Sequence, residues 1–150
     1  MRRRTIFVAA VAIVLTVSVS PSFATLGQSQ PGGKVKVVIA GANAKTDVTD
    51  GSLAGKGTFK ASGAITDEGV ALAYRTVKGD LAAEEFITLR FVTKGKKGAI
   101  TYVVKIDTKA GTSRWTIASG TKAYKGLHGK GTESENADHT VSTLRGTVSR

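Results

Sequence analysis

Trp115-Thr116-Ile117-Ala118-Ser119-Gly120-Thr121-Lys122-Ala123-Tyr124-Lys125-Gly126-Leu127-His128-Gly129-Lys130-Gly131-Thr132 reads as a strand, one tight turn of helix and a glycine-rich strand. Trp115 and Ile117 share one face of the first segment, Thr116 and Ala118 the other, by the two-residue period of extended chain. Gly120 ends the strand, and Thr121 is placed to cap a helical turn near 121–126. Gly126 falls where a left-handed residue closes such a turn, and Leu127 where an apolar contact locks it. Gly129 and Gly131 alternate along the next strand, so one of its faces carries no side chain. A ring can approach there or the sheet can bend sharply, and Tyr124 is the ring expected to cover it.

Outward from this unit, alternating or glycine-rich segments recur at 34–40, 55–65, 70–78, 85–93, 99–107 and 139–148. Turn signals separate them: Thr66-Asp67-Glu68-Gly69, Lys94-Gly95-Lys96-Lys97-Gly98, Thr108-Lys109-Ala110-Gly111 and the polar run from Glu133 to Asp138. Residues 41–54 read as a loop or partly paired segment. Short strands at regular spacing with almost no helical periodicity predict an all-β fold. In-strand glycines at 57, 63, 129, 131 and 146 favour a single antiparallel barrel of about eight strands, because a small barrel must bend its strands.

The pattern W-x-I-x-S-G-T-x-x-Y-x-G-L-x-G-x-G over 113–132 resembles small exported bacterial proteins of the allene oxide cyclase barrel-like, or calycin-like, class, most of them without an assigned function. The likeness extends loosely to Gly55–Gly63 and to Thr143–Val148. It implies a calycin-like barrel across most of the chain. Lys122 stands where the family pattern has glycine, which implies a more regular turn here. No allene oxide cyclase catalytic residue can be placed, so that activity is not carried over.

Arg2-Arg3-Arg4, the apolar run 6–19 and Ser22-Phe23-Ala24 form a signal peptide over 1–24 with cleavage after Ala24. The run is shorter than the roughly 20 residues that span a bilayer, so no stable membrane span is expected after cleavage. A secreted or periplasmic location follows. Residues 25–33 form a flexible polar leader and 34–150 the barrel domain. The chain has no cysteine, so the domain needs its core and a closed sheet rather than disulfides. Losing the three signal arginines leaves 19 basic against 11 acidic residues, a net +8. That charge favours anionic partners such as envelope polymers or acidic lipid, unless it merely solvates outward strand positions such as Lys34 and Lys36.

No serine elbow, phosphate loop, thiol or standard metal-ligand spacing is present, so neither a metal nor another cofactor is called for. Glu133, Glu135, Asp138 and His139 could meet a cation at a rim, but an exposed polar turn explains them as well. Tyr74 beside Arg75 and Arg114 beside Trp115 put a ring and a cation on opposite faces; the rings read as core, which makes a nucleic-acid platform unlikely. Arg90 shares a face with Phe86, Thr88 and Val92, and Arg145 with Val141 and Thr143. Facing inward, either would need an acid or a ligand anion; facing outward, either is solvated. With Tyr124 and His128 at a mouth, they are the candidate ligand-binding residues. The leading expectation is non-enzymatic binding of a small amphipathic or anionic ligand in the barrel lumen or mouth. The alternatives are a basic protein contacting anionic cell-surface polymers, and an isomerase or cyclase that no motif supports.

Overall fold

The computed structural model describes residues 32–42, 50–78 and 85–150; the signal peptide, its cleavage site and most of the leader lie outside these. Eight strands form a closed antiparallel barrel: β1 (Gly33–Ala40), β2 (Asp50–Gly63), β3 (Asp67–Lys78), β4 (Phe86–Gly95), β5 (Ala99–Asp107), β6 (Thr112–Gly120), β7 (His128–Glu135) and β8 (Val141–Ser149). Each strand pairs with its successor, and β8 returns to β1 from Val148 opposite Gly33 to Val141 opposite Ala40. Closure gives every strand a partner on both sides, although β6 and β7 pair over three residues only, from Arg114 opposite Thr132 to Thr116 opposite Lys130. Among the described residues the one helical element is a 3₁₀ turn, η1 (Lys122–Tyr124), between β6 and β7.

Alternation places one face of each strand in the lumen. Trp115, Tyr102, Phe91, Ile39, Ile100, Leu144, Val37 and Val104 are fully buried and fill the middle of the barrel. An eight-stranded barrel is just wide enough for side chains to fill it. Tyr102 and Trp115 meet edge to face, with centroids 5.7 Å apart. The Trp115 Nε1–H donates to the Arg145 carbonyl at 3.2 Å, which satisfies its buried donor.

The quoted unit folds as strand, turn and strand, with three local corrections. Trp115, not Tyr124, lies against the glycine-lined wall at Gly146 beside Gly131, and Ile117 and Val148 lie against Gly129. A Cβ on Gly146 would lie 2.7 Å from the Trp115 ring and 2.8 Å from the Cα of Gly131, so only bare backbone fits. Thr121 holds the N-cap position of η1, but its side chain makes no cap bond; its Oγ1 accepts from the Ala99 amide at 2.9 Å and ties the turn to β5. Lys122 does not make the turn more regular: its φ is +51, the left-handed region that glycine enters without strain. Gly126, at φ +73, and the buried Leu127 match the expected closing geometry.

β2 begins at Asp50, inside the segment read as a loop or partly paired, and its first residues pair with β3 through register shifts between Asp50 and Gly55. Two turn boundaries move. The turn between β2 and β3 is 64–66, so Asp67, Glu68 and Gly69 belong to β3. β7 runs through Glu135, so Glu133 and Glu135 are strand residues and the turn that follows begins at Asn136.

Candidate functional site

The end of the barrel that holds the 64–66 and 96–98 turns and the chain's Arg150 is plugged by η1. Tyr124 is buried there, and its hydroxyl donates to Asp67 Oδ2 at 2.9 Å. Asp67 also accepts from the amides of Glu68 at 3.0 Å and of Lys96 and Lys97 at 3.2 Å. Burial works to raise the Asp67 carboxyl, but these bonds, led by Tyr124, outweigh it and hold the group below its ordinary value. Burial and then the Asp67 carboxylate push the Tyr124 phenol upward. Tyr124 is therefore a structural clasp that closes this end. His128 is exposed at the start of β7.

The opposite end carries the connections β1–β2, β3–β4, β5–β6 and β7–β8. Its inward side chains are mixed: Val77, Ile87 and Ile106 are apolar, and Arg75, Ser113, Glu133 and Ser142 are polar. Glu133 is 8% exposed, with Ser113 Oγ donating to its Oε2 at 2.7 Å; its Oε1 is buried and meets no hydrogen-bond partner among the described residues. Burial raises the Glu133 carboxyl, the Ser113 bond lowers it in part, and the charge of Glu135 raises it further. Glu135 accepts from Ser142 Oγ at 3.3 Å and contacts His139 Nδ1 at 2.6 Å. Arg75 also points inward, 8% exposed. Among the described residues no three His, Asp or Glu side chains are grouped to hold a metal ion.

The outer wall is the more distinctive surface. Every strand Lys or Arg except Arg75 is exposed on it. The strand acids are placed otherwise: Asp67 and Glu133 are buried, Asp107 and Glu135 half-buried, and only Asp50 and Glu68 exposed. Strand register then brings like charges together. Lys105 is the Cα partner of Arg114, Arg114 of Thr132, Thr132 of Arg145, and Arg145 of Lys36. This single cross-strand row carries four cations and a threonine over five strands. At about 4.8 Å per strand it is an arc of about 19 Å. The next row, Thr116, Lys130, Thr147 and Lys34, adds two more cations. Like charges directly opposite on a sheet are destabilising, and here two such pairs share one row, with Thr132 between them.

Arg90 and Arg145 both lie on this outer wall rather than in the lumen, so neither needs an internal counter-ion. Arg90 sits over the Tyr74 ring, 4.4 Å from its centroid. Arg145 stands in the row opposite Lys36. Thus Arg90, Arg145, Tyr124 and His128 do not converge on one site. The ring-and-cation rule holds for Arg114 and Trp115 but inverts at β3, where Tyr74 is outside and Arg75 inside. The signal was present in the small residues: Ala71 and Ala73 face inward, and Ala73 is the register partner of the bulky, fully buried Phe91. Sequence reading also missed Glu133 as an inward group, whereas Phe86 lies outward with Arg90, one of the two orientations left open for that face.

The chain matches no protein-family model, no curated protein and no solved structure.

Proposed function

We propose that this is an exported, non-enzymatic binding protein that holds anionic cell-envelope polymers against the outer wall of its barrel. The observation that carries this is the pair of like-charge register contacts, Lys105 with Arg114 and Arg145 with Lys36, in one row. Repulsion between them is relieved when an anionic chain lies along the row, so the arrangement favours the bound state. Threonine hydroxyls at 116, 132 and 147 interleave the cations and can donate to phosphate or carboxylate oxygens. The outward positions of β5 to β1 carry no Phe, Tyr or Trp, which argues against nucleic-acid stacking as the mode of recognition. Lumen binding is less well supported, because aromatic and aliphatic side chains fill the barrel's middle. Membership of the calycin-like class belongs to the same proposal, since a closed eight-stranded barrel is what that resemblance implies.

The test is binding to a linear polyol-phosphate polymer, with dextran as the neutral control, across a salt series. Counter-ion release should make log Kd rise linearly with log salt. Arg145→Glu should weaken binding and flatten that slope. Equal affinity for neutral and anionic polymers, or an unchanged slope in Arg145→Glu, would overturn the proposal.

A further inference from the structure

A groove of about 460 Å³ runs over the outside of β4, β5 and β6, within the size range of small-molecule sites. Phe86 and Val103 supply apolar surface, and Lys78, Lys105 and Arg114 supply charge. Phe86 is 52% exposed, the most exposed of the large hydrophobic side chains among the described residues. It is not left over from the core: it is the register partner of Lys78 on one side and Asp107 on the other, on the outer face. Asp107, the acid in the groove, already accepts from the Ala110 amide at 2.8 Å and holds the β5–β6 turn. The cations are therefore in excess. Lys105 and Arg114, directly opposed, can share one carboxylate between an ammonium and a guanidinium fork.

We infer that this outer groove binds a fatty acid, with the carboxylate between Lys105 and Arg114 and the acyl chain against Phe86 and Val103. The site is separate from the lumen and uses one end of the basic row, while Phe86 lies outside that row. The amphiphile is held as a monomer on the barrel wall, with its chain covered on one side and its head neutralised by two cations. Apolar burial and charge pairing act together, so neither an uncharged chain nor an anion without the chain should bind as well.

The experiment is titration of the full folded chain with dodecanoate below its micellar concentration, followed calorimetrically and by NMR. Dodecanol and dodecyltrimethylammonium serve as controls, and anionic vesicles as a separate arm. Saturable 1:1 binding of dodecanoate is expected, with both controls weaker. Phe86→Ser, at an exposed position, should weaken dodecanoate by roughly tenfold while leaving polyol-phosphate binding unchanged. Lys105→Glu should weaken dodecanoate similarly. Equal binding of dodecanol, insensitivity to Phe86→Ser, or binding to vesicles without binding to monomeric dodecanoate would each overturn the assignment. Loss of polymer binding with dodecanoate binding intact would overturn the polymer proposal and leave this one standing.

Discussion

Reversing one charge in the basic row should make the protein more stable and a poorer binder. Lys36 on β1 is directly opposite Arg145 on β8, with Ser62 as its other register partner. Directly opposed Cβ atoms lie about 5 Å apart, so the two charges sit roughly 6 Å apart. In water their repulsion is about 0.7 kcal/mol. Lys36→Glu turns it into an attraction of similar size, and screening at 0.15 M salt about halves the difference. The expected gain is about 0.6 kcal/mol, close to 1 kcal/mol at low salt and nearly absent at 1 M. For a domain of this size that is a rise in Tm of about 2–4 °C. Urea denaturation and thermal melts across a salt series measure it, with Lys36→Gln expected to give about half the gain. The parent protein should itself gain stability as salt rises. A loss of stability in Lys36→Glu, or a gain that salt leaves unchanged, would refute the reasoning, because the two cations would then not be repelling each other.

Other expectations follow from the barrel's construction. Gly146→Ala drives a Cβ against the Trp115 ring and the Lys130 carbonyl; a loss of about 1–3 kcal/mol in chemical denaturation is expected. Lys122→Gly removes a side chain from a left-handed residue and should stabilise by about 0.5–1 kcal/mol, whereas Lys125→Gly, at φ −59, should destabilise. Tyr124→Phe removes a buried hydrogen bond to the Asp67 carboxylate and should cost about 1.5–3 kcal/mol at pH 7. Because the Asp67 carboxyl is held below its ordinary value in the fold, its contribution is present above the ordinary carboxylate range and lost as pH falls through and below it. In Tyr124→Phe that acid-side loss should be smaller, as acid melts will show. Glu133 is the opposite case: burial raises its carboxyl, so the ionised group costs stability at neutral pH and the cost fades on acidification. Glu133→Gln, which keeps an acceptor for Ser113, should therefore stabilise at pH 7 and give a difference that vanishes near pH 4.

The barrel was legible because its signals are local. Alternation groups Leu89 with Phe91 in β4 and Tyr102 with Val104 in β5, and these are the faces that fill the lumen, while Gly126 and Leu127 marked the closing turn at their true positions. What escaped depends on pairing across the lumen. In β3 both faces are apolar enough to pass for core, and the larger face, Val70, Leu72 and Tyr74, looks the better choice. The smaller face wins because Phe91 and Tyr102 already occupy the space that Ala71 and Ala73 face. Arg75 is carried inside by that same parity. Glu133 escaped because β7, dominated by glycine, threonine and charge, has no apolar alternation to show which side faces in. The basic row escaped because Lys105, Arg114, Arg145 and Lys36 are distant in sequence and meet only through register. Residue counting finds the charge; strand pairing decides that like charges are adjacent.

Lysine footprinting on the folded chain tests the central claim most directly. Lysines are acetylated with and without a saturating polyol-phosphate polymer, and modification is quantified residue by residue. Protection is expected at Lys34, Lys36, Lys105 and Lys130 on the outer wall, with Lys109 and Lys125 in the end turns reacting as before. Protection confined to the end turns, or uniform across all lysines, would contradict a binding surface built by strand register.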